Sequence, residues 1–325
     1  MGEWKLLPLG IDLGSRRVRI ALGEANRAGD VRLRAIIGRD LPDAAACTSE
    51  VVESSLVAAL LEDMLAEVGC REQRCVLALG APASVTRVVR FPKMSRAERL
   101  RAAHFEAQRF AGWDIDDGQS LVRTHPLDRE AGAYVVGVTR VANVDSRVNT
   151  MRMAGLHVVA VDHDAFAMRR MFPDCDAIVD IGAERSSLHV FGAIGPVSLV
   201  TQYGGAAVTR GIAAELSIDI PTAERRKRIL GCAGAGVSAR EEVVASIVAL
   251  IDRARGRTTI DRVALTGNGS RLPNLARALE DATGAISELP VAALLRTANY
   301  PEDVLRAAAP DWTLAASLAA WSAVA

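Results

Sequence analysis

The chain has 325 residues, which is enough for a large buried core and favours two domains. Its 39 basic and 39 acidic side chains cancel, so no global field would attract nucleic acid or an anionic membrane. Half of the residues are apolar but only 4% are aromatic, so Ala, Val, Leu and Ile must fill the core. This composition is typical of a soluble α/β protein whose parallel strands are buried under helices.

The cysteines and the ends of the chain favour a cytoplasmic protein. The 5 cysteines form no C-x-x-C pair, which argues against a disulfide framework or a zinc site. Glu3 and Lys5 interrupt any apolar segment that could serve as a signal peptide. The uncharged stretch from Trp312 to Ala325 is too short to cross a bilayer and predicts a closing helix instead.

The first half contains a strand, an Asp-x-Gly turn and a second strand, within three strands predicted over Leu6–Ile37. Gly14 allows backbone N–H groups of this turn to converge on a small anion, because no Cβ blocks the approach. Asp12 could hold a hydrated Mg²⁺, and Arg19 could reach a phosphate. A single turn of this kind is more often a plain hairpin.

Strands and helices then alternate over about 75 residues, which predicts a small α/β insertion. Ser95 and Glu98 have capping-box spacing, so a helix should begin there. The predicted elements are a helix over Thr48–Val68, strands over Val76–Leu79, Val85–Val89 and Tyr134–Val138, and helices from Ser95 to about Phe110 and over Ala142–Ala154.

The Asp-x-Gly hairpin recurs in the second half, at Asp180 and Gly182. A buried strand then ends in the Gly267–Ser270 turn before a helix, an arrangement that offers backbone groups to a nucleotide. Three such loops in this order indicate a duplicated unit around one cleft. The helices predicted here are Ile212–Leu216 and Thr222–Leu230, broken near Pro221, then Val243–Ala254 and, at the end, Leu314–Val324.

This order of loops resembles that of the actin-like ATPases, and further segments resemble the PilM family of type IV pilus assembly proteins. The resemblance covers nearly the whole chain, and the length suits PilM better than the longer cell-division protein FtsA. The segments that carry it are Phe91–Ser95, Phe105–Ala107, Gly155–Asp162 and Tyr203–Ile212.

The resemblance implies an α/β, actin-like (ribonuclease H-like, duplicated) fold of two lobes with a 1C-type α/β insertion. The expected divisions are 1–81 for the first lobe (1A), 82–155 for the insertion, 156–174 for the return to 1A, 175–310 for the second lobe (2A, with a smaller 2B at about 206–258), and 311–325 for a closing helix on 1A.

The resemblance also implies ATP and Mg²⁺ as cofactors bound between the lobes. Asp12 and Asp180 correspond to metal-side carboxylates, although each could instead cap its own turn. Glu224 lies on the helix that meets the ribose in related proteins, although it could equally be a solvated surface glutamate. The residues expected to bind the nucleotide are Asp12, Gly14, Ser15, Arg16, Arg19, Asp180, Gly182, Ala183, Gly205, Glu224, Gly267, Asn268, Gly269 and Ser270.

Two departures from the family pattern concern hydrolysis. Arg16 and Arg17 replace small hydroxyl residues in the first turn, and Arg185 replaces Ser or Thr in the second. These arginines could pair with phosphates, or they could fill the pocket and bind carboxylates instead. No residue is recognisable as a base that would activate water, and the 5 histidines are scattered, so we expect slow or absent hydrolysis.

The PilM resemblance implies a cytoplasmic scaffold, peripheral at the inner membrane through the N-terminal tail of a PilN-like membrane protein. We expect no nucleic acid partner, no direct membrane insertion and possible self-association. The tail could add to the β-edges Val85–Val89 or Tyr134–Val138, or dock in the adjoining cleft. The acidic residues Asp114, Asp116 and Asp117 would suit a basic peptide. The competing interpretation is that the helices of the insertion simply cover these strands.

Two alternatives share the ATPase core. A sugar or acetate kinase-like phosphotransferase would need a carboxylate base placed for a substrate hydroxyl, and the sequence offers no candidate. A cell-division role like that of FtsA is weakened by the missing C-terminal amphipathic, basic helix.

Overall fold

The structure is a computed structural model of the chain. It describes residues 3–47, 50–116, 118–128, 130–192 and 195–324. Thr48, Asp117 and Ala325, which figure in the predictions above, lie outside the described residues.

Strands and helices alternate along the described chain. The strands are β1 (Lys5–Leu6), β2 (Leu9–Leu13), β3 (Arg17–Ala25), β4 (Val31–Asp40), β5 (Arg74–Ala78), β6 (Ser84–Arg90), β7 (Ser120–Asp128), β8 (Ala133–Arg140), β9 (His157–Asp162), β10 (Ala177–Ile181), β11 (Ser186–Gly192), β12 (Gly195–Thr201), β13 (Arg262–Thr266) and β14 (Ile286–Glu288). The α-helices are α1 (Ser54–Glu67), α2 (Arg96–Gln108), α3 (Val141–Met153), α4 (Asp164–Met171), α5 (Gly205–Leu216), α6 (Ile220–Leu230), α7 (Val237–Arg255), α8 (Leu275–Thr283), α9 (Glu302–Ala319) and α10 (Trp321–Val324). Short 3₁₀ helices cover Asn268–Arg271 and Leu295–Ala298.

Two sheets repeat one pairing scheme. In the first lobe, β2 pairs antiparallel with β3 and β3 with β4, while β2, β5 and β9 run parallel. In the second lobe, β10 pairs antiparallel with β11 and β11 with β12, while β10, β13 and β14 run parallel. Each of the five strands of the second-lobe sheet thus has a counterpart in the first, as expected of a duplicated unit, and the short strand β1 is additional to this scheme. Both Asp-x-Gly turns occupy the same place in this scheme, between β2 and β3 in the first lobe and between β10 and β11 in the second.

Apolar residues at helical spacing attach the helices to these sheets. On α7, Val243, Ile247 and Ile251 recur every four residues and enter the core of the second lobe. On α1, Val57, Leu61 and nearby residues enter the core of the first lobe. The two lobes therefore have separate apolar cores, and the cleft lies between them.

The last long helix, α9, packs across the first sheet and reaches the second. It passes so close to β2 that a Cβ on Gly10 would overlap the backbone of Ala315 and Ala319. A third apolar cluster joins α9 to α4 and to residues of both lobes, including Ile36 and Ala264. The helix thereby links the two halves of the molecule.

Several helix bounds differ from the predictions. Helix α5 begins at Gly205 rather than Ile212, because carbonyl groups of the neighbouring hairpin accept its first N–H groups. Helix α6 includes Pro221 in its first turn. Proline is tolerated there because it lacks a backbone N–H, and N–H groups of the first turn have no acceptor within the helix. Helix α9 begins at Glu302 and continues through Pro310, which tertiary packing holds in place. Helix α1 begins at Ser54, later than predicted.

The segment between β5 and β9 forms a separate three-stranded antiparallel sheet in the order β6–β8–β7, packed against α2. The capping box of α2 is present as predicted, with Ser95 and Glu98 bonding each other's backbone. The prediction that Tyr134–Val138 forms an edge was wrong, because β8 is paired on both sides. The second edge strand is β7. The sequence did not reveal it because it contains the polar His125 and also Pro126, which lies beside a register shift.

Candidate functional site

The two Asp-x-Gly turns have the same geometry. The N–H of Gly14 donates to the carbonyl three residues further on at 3.0 Å, and the N–H of Gly182 does the same at 2.9 Å. Asp12 and Asp180 lie two positions before these glycines, near the ends of β2 and β10. The duplicated sheets therefore present equivalent turns and carboxylates.

Both turns open on one cleft of about 740 Å³. Its size is within the range of about 300–1,000 Å³ found for small-molecule sites. Among the predicted residues, those lining it are Asp12, Gly14, Ser15, Arg16, Arg19, Asp180, Gly182, Ala183, Gly205, Glu224, Gly267, Asn268 and Gly269. Ser270 does not line the cleft: it is 1% exposed, and its hydroxyl donates to the Gly267 carbonyl at 2.7 Å.

The third loop approaches the second turn closely. Gly267 has a φ of +78°, and a Cβ there would overlap the carboxylate of Asp180. Only glycine combines this conformation with this approach. The N–H of Gly267 donates to the carbonyl of Pro310 in α9 at 2.8 Å, which fixes the loop to the interlobe helix.

A polar cluster forms the second-lobe wall of the cleft. Glu224 lies 2.6 Å from Lys227 Nζ and accepts the hydroxyl of Thr209 at 2.6 Å. Lys227 Nζ also donates to the Gly205 carbonyl at 2.9 Å. Burial opposes ionisation of Glu224, but the Lys227 and Thr209 hydrogen bonds lower its pKa overall. The cluster holds a carboxylate and an ammonium in fixed positions at the N-terminal part of α5.

Arginines of the first turn are engaged by carboxylates. Arg19 lies 3.0 Å from Asp12 and donates through Nε to Asp311 of α9 at 2.9 Å. Arg17 lies 3.2 Å from the other oxygen of Asp311 and 2.7 Å from Asp40. Burial would lower the pKa of Arg19, but Asp12 and Asp311 raise it overall, so Arg19 is always charged.

Arg16 is likewise paired, with Glu184 of the opposite turn at 3.1 Å and with Asp43. Of the two roles that the sequence left open for Arg16, Arg17 and Arg185, this structure has Arg16 and Arg17 bound to carboxylates. Arg19, expected to reach a phosphate, is also bound to carboxylates. Arg185 differs, since its guanidinium donates to the carbonyl of Ala81 at 3.3 Å.

The carboxyl groups of the two Asp-x-Gly turns resist ionisation. Burial, followed by the negative charges of Asp12 and Asp164, raises the pKa of Asp180 to about 6. Burial also raises the pKa of Asp12, although Arg19 opposes this effect. A cation beside Asp180 would offset both causes, because it supplies positive charge where water has been removed.

Comparison with known proteins identifies the family. Residues 10–322 match the family model described as type IV pilus assembly protein PilM. The chain belongs to the PilM family. The predicted family is therefore confirmed over nearly the whole length.

Solved structures show the same fold as this PilM-family chain. A PilM–PilN type IV pilus biogenesis complex contains a chain with a TM-score of 0.85, 24% identity and 98% coverage of both chains. The ethanolamine utilization protein EutJ from Carboxydothermus hydrogenoformans has a TM-score of 0.63 and 13% identity, covering 98% of this chain and 90% of its own. The MamK double helical filament has a TM-score of 0.56 and 13% identity, covering 97% and 98%. The predicted actin-like α/β fold is confirmed.

Several residues that line the cleft of the PilM-family chain were missed in the sequence, among them Lys227, Asp311 and Asp164. Asp164 begins α4, directly after β9, and its carboxylate is 2.9 Å from His163 Nδ1 and accepts the N–H of Ala165. Burial opposes its ionisation, but His189, His163 and this N–H lower its pKa well below the usual range. A single Asp after a strand has no distinctive spacing, so only its buried position singles it out.

The site fits a nucleotide better than a bare metal. The described residues contain no group of three or more His, Cys, Asp or Glu side chains that could hold a metal ion. A cation would instead need Asp180 together with ligands from phosphates and water, as Mg²⁺ often does. Asp12 is already paired with Arg19, so Asp180 is the better contact. The glycine-lined turns leave room for phosphates to approach the backbone.

Within the residues that the structure describes, no helix is both long and apolar enough to cross a lipid bilayer.

Proposed function

We propose that this PilM-family protein is a nucleotide-binding scaffold of the type IV pilus assembly platform. It would bind ATP with Mg²⁺ between its lobes and hold the N-terminal cytoplasmic tail of a PilN-like protein at the inner membrane. The observation that carries the nucleotide assignment is the pair of equivalent Asp-x-Gly turns facing one cleft. The partner assignment is supported by the family and by the similar PilM chain solved with PilN.

In this proposal different residues contact different parts of the nucleotide. The turns at Gly14 and Gly182 receive phosphates, Glu224 meets the ribose, and the Gly267–Gly269 loop receives the base. Asp180 contacts the cation, whose role is to neutralise phosphate charge and orient the phosphates. The nucleotide would thus contact both lobes, and its binding would favour their closed arrangement.

The proposed divisions are those that the resemblance implied. Residues 1–81 and 156–174 form 1A, 82–155 the 1C-type insertion, and 175–310 the second lobe with 2B at about 206–258. In the first lobe, β6, β7, β8 and α2 lie between β5 and β9. The corresponding strands of the second lobe, β13 and β14, are separated by only a 3₁₀ helix and α8. The additional elements of the first lobe support an insertion there.

A phosphotransferase function is less well supported. It requires a carboxylate that accepts a proton from a substrate hydroxyl. Asp180 is assigned to the cation in this proposal. Asp164 is another buried carboxylate of the cleft, but His189, His163 and the N–H of Ala165 lower its pKa below the usual range, and His163 contacts one of its oxygens. Such a group is a weak proton acceptor at physiological pH.

Titration with a fluorescent ATP analogue and Mg²⁺ tests the nucleotide assignment. We expect saturable binding that Asp180→Ala weakens at least tenfold. The matched control is Asp281→Ala, because Asp281 is an exposed carboxylate on α8 whose ion pair in the described part of the chain is with Arg277 at 3.7 Å. Equal affinity of Asp180→Ala and the control would contradict the assignment.

A second experiment tests the partner. The exposed apolar side chains Phe105 on α2 and Leu127 on β7 lie in the proposed insertion and are 67% and 51% exposed. If the tail docks there, Phe105→Glu or Leu127→Glu should weaken binding of a synthetic tail peptide. Asp114 and Asp116 on the same segment are also exposed and would attract a basic tail.

The control for the partner experiment is Ile229→Glu, since Ile229 is 79% exposed but belongs to α6 of the second lobe. Weakening by this control alone would place the tail on the second lobe. Failure of the intact protein to bind the tail would remove the partner assignment.

A further inference from the structure

The two Asp-x-Gly turns carry opposite charges at equivalent positions. Arg16 lies two residues after Gly14, and Glu184 lies two residues after Gly182. Nε of Arg16 donates to a carboxylate oxygen of Glu184 at 3.1 Å, and both side chains line the cleft. This ion pair therefore joins the two turns, and with them the two lobes, directly across the cleft.

A second ion pair crosses between the lobes. Arg228 on α6 of the second lobe donates through Nη1 to Asp40, the last residue of β4 in the first lobe, at 2.9 Å. Both side chains line the same cleft. Burial alone would raise the pKa of Asp40, but hydrogen bonds from Arg228 and Arg17 lower it overall. The carboxylate is therefore ionised at neutral pH, and the pair is charged.

The partners of the first crossing pair have further counter-charges inside their own lobes. Arg16 also contacts Asp43 of the first lobe, and the other oxygen of Glu184 lies 3.6 Å from Arg210 of the second. Separation of Arg16 from Glu184 therefore leaves neither charge without a partner. The contact is also accessible to water, since the two side chains are 45% and 39% exposed. These features make the pair reversible.

The second crossing pair has the same property. When Arg228 separates from Asp40, it keeps Glu224 of its own helix at 2.9 Å, and Asp40 keeps Arg17 at 2.7 Å. The side chains of Arg228 and Asp40 are 46% and 47% exposed. Both crossing pairs can thus open without burying an uncompensated charge, which is the outcome that makes the loss of a buried pair costly.

We propose that Arg16–Glu184 and Arg228–Asp40 form an autoinhibitory latch, which holds the ligand-free lobes together and must open before a nucleotide enters the cleft. Phosphate oxygens then replace Glu184 at Arg16, because a guanidinium binds phosphate as well as carboxylate. Glu184 stays with Arg210. The holding of the lobes needs no ligand, whereas the effect on entry rests on the nucleotide binding proposed above.

The expected strength of the latch follows from the exposure of its members. One exposed ion pair shifts an equilibrium by at most about fivefold, so two independent pairs shift it by at most about 25-fold. A latch of this strength keeps the ligand-free protein mostly closed and is still released by thermal motion. It lowers the rate of nucleotide entry without preventing it.

Small-angle X-ray scattering of the ligand-free protein tests the holding of the lobes. Asp40→Asn combined with Glu184→Gln removes both crossing charges at nearly constant side-chain size, and should increase the radius of gyration. The matched control combines Asp43→Asn with Asp281→Asn, because the ion pairs of Asp43 and Asp281 stay within one lobe. It removes the same total charge and should leave the radius unchanged.

Stopped-flow mixing with a fluorescent ATP analogue and Mg²⁺ tests the effect on entry. Asp40→Asn and Glu184→Gln should each raise the association rate constant about two- to fivefold, because each makes opening of the cleft more frequent. Asp43→Asn is the control for simple charge removal. It removes a carboxylate beside the same Arg16 but breaks no contact between the lobes, so its effect should stay below about twofold.

The outcomes separate this inference from the proposed function. An unchanged radius of gyration in the folded double variant would overturn the latch. Equal acceleration by Glu184→Gln and Asp43→Asn would overturn the autoinhibitory role, since charge removal alone would then explain the rates. If the wild-type protein binds no nucleotide, the proposed function fails, and scattering alone still decides whether the two pairs hold the lobes together.

Discussion

Replacing Asp180 with asparagine should stabilise the ligand-free protein at neutral pH. The pKa of this carboxyl is raised from 3.8 to about 6 by burial and by Asp12 and Asp164. Asparagine removes the charge but keeps an oxygen that can accept the hydroxyl of Thr266, 3.1 Å from Asp180 Oδ1 in the wild type. The change therefore removes an electrostatic cost without removing the hydrogen bond.

The magnitude and sign follow from proton linkage. Between pH 4 and 6 the folded state binds more protons at Asp180 than the unfolded state, so the free energy of unfolding falls as the pH rises. Each pKa unit corresponds to about 1.36 kcal/mol, so above pH 7 the raised pKa of Asp180 lowers the free energy of unfolding by about 3 kcal/mol. About half of this cost is already present at pH 5. The advantage of Asp180→Asn should accordingly grow from pH 5 to pH 8.

Urea unfolding of both proteins at pH 5, 6, 7 and 8, without nucleotide and with EDTA, measures this difference. Asp281→Asn is the control, because an exposed carboxylate should change stability by less than about 0.5 kcal/mol at every pH. A variant that is less stable than the wild type at pH 8, or an advantage that does not change with pH, would refute the reasoning.

Other variants test separate contacts. Asp311→Ala should lower the free energy of unfolding by about 3 kcal/mol or more in urea, because it leaves the buried Arg19 with only part of its counter-charge; a loss below 1 kcal/mol would contradict this. Ser95→Ala removes the α2 cap and should cost about 1 kcal/mol in the same assay, and an unchanged midpoint would count against it. Gly267→Ala forces a Cβ against Asp180 and should weaken ATP-analogue binding at least tenfold by calorimetry, so a wild-type affinity would be inconsistent with it. Steady-state ATP turnover of the wild type should stay well below about 10 per second, and a faster rate would disprove the expectation of slow hydrolysis.

Local sequence was sufficient for the loops that define the fold. Each Asp-x-Gly turn is specified by a strand, a glycine and a second strand within about ten residues, so Gly14 and Gly182 were placed correctly. The Gly267 loop was recognisable for the same reason. Family resemblance then supplied the arrangement of lobes, which no local pattern contains.

Contacts between distant positions were not accessible from the sequence. Asp311 binds Arg19 although 292 positions separate them, so the alternative roles of the arginines could be distinguished only in three dimensions. Asp164 acquires its significance from burial beside His163 and His189. Strand order in the inserted sheet is also a tertiary property, which is why Tyr134–Val138 was mistaken for an edge.

The long interlobe helix α9 can bend more easily at Pro310 than elsewhere. Proline has no N–H, so the helix lacks the backbone bond that would join Pro310 to the carbonyl of Arg306. The Pro310 carbonyl accepts the N–H of Gly267, while the next turns of α9 pass over Gly10 of the first lobe. A small rotation of one lobe could therefore be absorbed as bending at this position without breaking an existing helical bond. Any change in the angle between the lobes is therefore expected to be concentrated at Pro310.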